Sequence, residues 1–197
     1  MFTAFYDREG RKARWLHPGG PLQWDWEWEA MLHIFRSCGP TRTVEIGCFE
    51  GYTLEAMAWA SPPGAWVLGI DPNERVDWKA RVGIQKRKDV NVNFVARESS
   101  HPEAIAAAER LGGIDWLFID GDHTYDGVKF DFETYGPMVP PGGVIALHDI
   151  YPSQGDASIE VHRLWREIVQ AGYVTRELVC EQTPSVWGGI GLVYVGA

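Results

Sequence analysis

From residue 24 onward the apolar positions fall with helical spacing. Trp24, Trp28, Met31 and Phe35 stand at i, i+4, i+7 and i+11, the stripe of an amphipathic helix, and Gly39-Pro40 stops it. The period then changes. Short runs rich in β-branched and aromatic residues at Thr43–Ile46, Trp66–Ile70, Val92–Ala96, Asp115–Asp120 and Gly143–His148 predict strands. Helical patterns lie between them. Ser100-x-x-Glu103 has the form of a capping box, with Pro102 tolerated in the first turn. Val128, Phe132 and Tyr135 stripe the next helix, which Gly136-Pro137 ends; Val161, Leu164, Trp165 and Ile168 stripe a later one, stopped by Gly172.

Five strands alternating with helices predict a parallel sheet covered on both faces. The last two strand-like runs, Tyr173–Cys180 and Gly189–Val195, are joined by a short segment containing Pro184, too short for a crossover helix. They should therefore pair antiparallel. The expected fold is α/β, a doubly wound, mostly parallel seven-stranded sheet with helices on both faces and a C-terminal antiparallel hairpin. Residues 1–23, polar and aromatic with Gly19, Gly20 and Pro21, read as an irregular arm or lid, and residues 24–197 as one domain.

Composition narrows the class. The 197 residues suit a single core, and 45% hydrophobic with 23% charged residues is ordinary for a globular chain. The net charge of -9 repels phosphates, which disfavours nucleic acid and anionic membranes as partners. Arg75, Lys79, Arg81, Lys86, Arg87 and Lys88 form a local basic run, read as a solvated helix face and loop. Cys38, Cys48 and Cys180 show neither a paired framework nor metal-type spacing, so each reads as a small core residue in a reducing compartment. No run of signal-peptide or membrane-span length occurs, and the expected location is cytoplasmic.

Chemistry first shows at the first strand. Gly47 and Gly51 follow it and precede a helix, where glycine lets the backbone approach a ligand and adopt turn geometry that a Cβ forbids. The helix that follows supplies free N–H groups, and Thr53 could add a hydroxyl for a carboxylate. Asp71 ends the second strand in Gly69-Ile70-Asp71-Pro72, where a carboxylate accepts hydrogen bonds from ribose hydroxyls. Glu45, inside the first strand, could engage loop amides or a ligand amino group. Together these point to a nucleoside-type ligand. Phe49 occupies the middle position where a dinucleotide loop prefers glycine, leaving less room for a pyrophosphate. S-adenosylmethionine has no pyrophosphate.

The run Val44-Glu45-Ile46-Gly47-Cys48-Phe49-Glu50-Gly51-Tyr52-Thr53 resembles the first motif of class I methyltransferases, in the form seen in metal-dependent O-methyltransferases such as catechol O-methyltransferase. The blocks Phe118–Val128, Pro140–Gly143 and Leu147–Ile150 are similar to small bacterial methyltransferase domains related to cephalosporin hydroxylase and the macrolide-sugar O-methyltransferases. The resemblance covers residues 40–195. It implies the Rossmann-like methyltransferase fold, S-adenosylmethionine as cofactor, and Ser99 near the adenine; capping the following helix is a compatible role for Ser99 and Ser100.

Asp120 and Asp149 are predicted to end the fourth and fifth strands and to converge in one crevice, where they repel unless a cation or shared protons intervene. A divalent metal, Mg or Mn, held by Asp120, His148 and Asp149 would relieve that repulsion and acidify a substrate hydroxyl. By resemblance His123 takes the general-base position, beside Asp120. The related enzymes carry an acid where His148 stands. Three alternatives stay open: a softer metal, a His148 that only orients Asp149, or no metal. Asp122 and Asp126 read as solvent-facing or helix-start acids, and Tyr125 as a residue that stacks on adenine or simply packs.

The expected function is an S-adenosylmethionine-dependent, metal-assisted O-methyltransferase for a sugar or phenolic hydroxyl of a small molecule. A dinucleotide-binding oxidoreductase and a non-catalytic cofactor-binding protein are the alternatives. Arg14, Trp15 and His17 are candidate lid residues, Trp24 and Trp28 a cover for the core, and exposed aromatics a contact for a second copy of the chain.

Overall fold

The computed structural model describes residues 25–72, 89–153, 156–179 and 188–196. The arm with Arg14, Trp15 and His17, the stripe residue Trp24, the basic run between Arg75 and Lys88, and Cys180 lie outside the described residues. Helix α1 spans Asp25–Cys38, followed by strand β1 (Arg42–Ile46), helix α2 (Tyr52–Ala60) and strand β2 (Trp66–Ile70). Then come β3 (Asn91–Val95), α3 (Pro102–Glu109), β4 (Trp116–Ile119) and α4 (Tyr125–Tyr135), which runs into a 3-10 turn at Gly136–Met138. Strand β5 (Val144–Tyr151), helix α5 (Val161–Gln170), β6 (Val174–Leu178) and β7 (Gly188–Tyr194) complete the chain.

The seven strands form one sheet in the order β3-β2-β1-β4-β5-β7-β6. Strands β1 to β5 pair in parallel, while β7 runs antiparallel between β5 and β6. The predicted doubly wound sheet and its terminal hairpin are both present. The order reverses beside β1, where the chain leaves for β2 on one side and later returns to β4 on the other. Ligand crevices form at the carboxyl ends of strands at such a point.

Side-chain alternation along the central strands feeds two cores. Leu117, Ile119, Ile145 and Leu147 point to the face covered by α3, α4 and α5, against Ala104, Val128, Tyr135, Leu164 and Trp165. Trp116, Phe118, Val144 and Ala146 point to the other face and meet Trp28, Met31 and Phe35 of α1 and Met57 of α2. Burial on both faces is why these strands read as continuous apolar runs. The stripe of α1 therefore packs as a core helix: Trp28, Met31 and Phe35 are fully buried, and the Phe35 ring meets Trp116 edge-on at 5.2 Å.

Three local expectations are corrected. The N-cap of α3 is His101, whose Nδ1 accepts the Glu103 N–H at 3.1 Å, with Pro102 opening the helix; Ser100 lies one residue too early to cap it. Cys38 is exposed, because α1 ends at it and Gly39 turns the chain at a φ of 59°. Asp149 does not end β5. It sits inside the strand, at an irregularity where the pairing with β7 shifts register between His148 and Tyr151. Cys48 is buried, as expected. Among the described residues, no helix is long and apolar enough to cross a membrane.

The two-sided core gives a direct expectation. Phe35→Ala should lower the unfolding free energy by about 3–5 kcal/mol in urea titrations, the usual cost of emptying a buried aromatic site. A loss below about 1 kcal/mol would show that α1 is not part of the cooperative core.

Candidate active site

A cleft of about 850 Å³ opens at the carboxyl ends of β1, β2, β4 and β5. Gly47, Phe49, Thr53, Asp71, Ser99, Asp120, His123, His148 and Asp149 all line it. Glu45 and Gly51 do not reach its wall.

The loop after β1 is shaped by glycine and by Asp71. Gly47 has a φ of 85°, and a Cβ there would fall 2.0 Å from the Asp120 carbonyl oxygen, so only glycine lets the two loops touch. Gly51 adopts the left-handed conformation as the N-cap of α2. Phe49 also has a positive φ, 45°, a conformation costing a non-glycine residue roughly 1–2 kcal/mol. Its N–H donates to Asp71 Oδ2 at 2.7 Å, which holds the turn, and its ring stays 56% exposed at the cleft.

Beneath the loop, Thr53 donates its hydroxyl hydrogen to Glu45 Oε1. Glu45 Oε2 is buried without a hydrogen-bond partner, and burial pushes this carboxyl well above its usual range. Thr53 and Glu45 thus serve each other below the surface rather than both facing the cleft.

The second cluster sits past β4 and within β5. Asp120 follows β4, and its Oδ1 is 3.0 Å from His148 Nδ1 and 3.4 Å from His123 Nε2. Burial would raise the Asp120 carboxyl, but the charges and hydrogen bonds of His148 and His123 outweigh it and hold the pKa at about 2. The hydrogen bond that His123 gives to the Asp120 carboxylate raises its imidazole against burial. His148 is raised well above the imidazole range, the neighbouring carboxylates overcoming a strong burial penalty. Burial raises Asp149. Asp149 has a φ of 57°, so the strand irregularity rather than the strand end turns its carboxylate towards His123 (3.7 Å) and His148 (3.5 Å).

Asp120, His123 and Asp149 offer one ligand atom each, all within 4.8 Å of one another, a spacing a cation could bridge. His148 stands deeper, its side chain 6% exposed against 37% for His123. Behind it lies Glu27 of α1, which sequence reasoning did not single out. Glu27 Oε1 is 3.3 Å from His148 Nε2, and Oε2 accepts the Gly189 N–H at 2.8 Å. One signal pointed to it: position 27 falls four before Met31, an acid on an otherwise apolar stripe.

Tyr125 turns away from the cleft. Its hydroxyl donates to Glu167 Oε1 at 2.7 Å and its ring lies under Arg163 at 4.4 Å, so it packs between α4 and α5; Phe130, from the same helix, lines the cleft instead. Asp122 and Asp126 are exposed, as expected; Asp122 accepts the Thr124 N–H, and Thr124 caps α4. Ser99 is held from behind by Tyr135, whose hydroxyl donates to its carbonyl at 2.6 Å.

Asp131 lies below this wall, fully buried, with neither oxygen hydrogen-bonded. Burial raises its pKa to about 6, and the charge of Asp122 adds to the rise. A folded pKa above the unfolded value means that its contribution to stability is complete below about pH 4 and lost as pH rises through 6. Asp131→Asn should therefore stabilise the protein at pH 8 by on the order of 1–3 kcal/mol. That gain should vanish below pH 4 in unfolding titrations; a gain equal at both pH values would contradict the assignment.

The family model for a methyltransferase domain matches residues 44–150, more than half of the chain. An uncharacterised protein of Acanthamoeba polyphaga mimivirus is 35% identical over 111 residues, covering 54% of this chain and 50% of its own. Caffeoyl-CoA O-methyltransferase of Stellaria longipes is 26% identical over 148 residues, covering 71% of this chain and 58% of its own. The chain spans about half the length of the curated relatives it matches. Among solved structures, the O-methyltransferase TomG of Streptomyces achromogenes, in complex with S-adenosylmethionine, superposes with a TM-score of 0.66 at 18% identity, covering 86% of this chain and 79% of that one.

Proposed function

The chain belongs to the methyltransferase-domain family, and on that premise we propose that it transfers a methyl group from S-adenosylmethionine to a hydroxyl of a small molecule. The observation that carries this is a single cleft lined both by the Gly47–Phe49 loop with Asp71 and by Asp120, His123 and Asp149. A nucleoside-binding half and an acid–base half therefore face the same space. TomG and the caffeoyl-CoA enzyme are similar proteins named for O-methylation, which supports oxygen as the acceptor atom.

The residues fit the cofactor. Asp71 follows β2, a position from which a carboxylate accepts from ribose hydroxyls, Phe49 offers apolar surface, Ser99 lines the same cleft and suits the adenine, and the volume suits a small-molecule site. When bound, S-adenosylmethionine supplies an electrophilic methyl on a sulfonium. The donor set also fits a divalent cation, with Asp120 and Asp149 as the residues that would hold it; such an ion makes a nearby hydroxyl more acidic.

The chain's own residues do the rest. The rigid strand ends orient the acceptor against the cofactor half, which is the larger part of catalysis in a transfer that needs alignment. His123 Nε2, at the exposed side of the cluster, takes the hydroxyl proton, and Asp120 steadies the resulting imidazolium. That same nitrogen lies close enough to Asp120 and Asp149 to act as a third cation ligand, and a ligating nitrogen cannot also accept a proton.

Two measurements test the proposal. Calorimetry on the wild type should show S-adenosylmethionine and S-adenosylhomocysteine binding, weakened about tenfold or more in Asp71→Ala, on the order of one charge-assisted hydrogen bond pair. No binding of either ligand to the wild type would end the proposal. His123→Gln should cut turnover roughly 100- to 10,000-fold with Mn²⁺ affinity unchanged if the imidazole is the base. Weakened Mn²⁺ binding would make it a ligand instead.

A further inference from the structure

Glu27 is an acid that packing does not explain. It lies on the buried face of α1 beside Trp28, which like Met31 and Phe35 is fully buried, and it is itself fully buried. An apolar residue would fill that space without the desolvation that a carboxylate suffers there. Its two oxygens are directed at two different elements. One meets His148 Nε2 on β5, and the other accepts the Gly189 N–H at the start of β7.

The far side of the His148 ring faces the cluster, with Nδ1 3.0 Å from Asp120 Oδ1 and 3.5 Å from Asp149 Oδ2. The backbone around it does not settle that geometry unaided, since the β5–β7 register shifts just after His148 and Asp149 has a positive φ. A ring gripped at one nitrogen by a helix-borne carboxylate has its other nitrogen aimed.

We propose that Glu27 is a positioning residue of the methyl-transfer site, fixing through His148 where the Asp120 and Asp149 carboxylates stand. Helix α1 precedes the segment matched by the family model, so Glu27 lies outside the part of the chain that identifies the family, while the residues it acts on lie inside it. The proposal rests on the functional reading above only for its effect on cation binding and turnover; the contact itself can be measured without either.

Glu27→Gln is the informative variant, because it keeps size and shape but replaces one of two acceptors by a donor, which either opposes the Gly189 N–H or forces His148 to present an unprotonated Nε2 and so lose its charge. Mn²⁺ titration in the presence of S-adenosylhomocysteine should show 10- to 100-fold weaker binding in Glu27→Gln and in His148→Gln. The double variant should be no weaker than the weaker single one, since both act along one path. Wild-type affinity in Glu27→Gln, or effects that multiply in the double variant, would overturn the proposal. Nuclear magnetic resonance of the wild type supplies the independent arm. A slowly exchanging His148 Nε2–H proton, with a nuclear Overhauser contact to the Glu27 side-chain methylenes, is expected whether or not Mn²⁺ binds and whether or not the variant folds. Absence of that contact would overturn the proposal. Absence of Mn²⁺ binding by the wild type, with the contact present, would overturn the positioning role, while the methyl-transfer reading would still stand or fall on S-adenosylmethionine binding.

Discussion

The missing side chain at Gly47 is the constraint on which the site depends. The Asp120 carbonyl occupies the space where a Cβ would project, and the Asp120 N–H donates to the Ile46 carbonyl at 2.8 Å while the Gly47 N–H donates to Ile70 at 2.9 Å. The ends of β1, β2 and β4 are thereby drawn together at one point. Because of that closeness, the loop that suits a nucleoside and the acids that suit proton chemistry share a cleft instead of occupying separate ones.

Around that point the protein concentrates charge under cover. Glu27, Asp120, Asp149, His148 and His123 form one chain of contacts from the interior of α1 to the mouth of the cleft. Each buried charge is costly in isolation, and the carboxylates and imidazoles offset one another only while their geometry holds. The same coupling explains opposite shifts in neighbouring acids. Asp120, between two imidazoles, is held low, whereas Asp149 is raised by burial. Positions that combine such shifts with a cleft are where acid–base chemistry is expected.

Much of the proposed cofactor half was legible in the sequence, because its logic is local. Gly47, Phe49 and Gly51 lie on one turn, and Asp71 follows a strand whose apolar run announces its end; all but Gly51 line the cleft. The helix stripes at Trp28–Phe35 and Val161–Ile168 were equally readable, since burial on one face imposes its period on the residues. Side-chain direction was less accessible. Tyr125 and Phe130 share a helix, and the choice of Phe130 for the cleft follows from Glu167 and Arg163 of α5 capturing Tyr125. The cap of α3 passed from Ser100 to His101 because an imidazole nitrogen can do the work of a hydroxyl. Asp149 reaches the cluster through a strand irregularity that no periodicity signals.

The sequence by itself determined the elements and the residue types gathered at the strand ends, since each depends on neighbours a few positions away, and the alternation of those elements implied the parallel sheet with its closing hairpin. Only the tertiary structure decided which of those residues touch. Strand β7 lies between β5 and β6, and α1 packs across it, which carries Glu27 to His148 over 121 residues of chain. Such a contact is fixed by the order of strands and the burial of a helix face, and neither leaves a trace in the spacing of residues along the chain. The loop at Gly47 could be read in advance; that the acid on the α1 stripe meets His148 became visible only once the chain was folded.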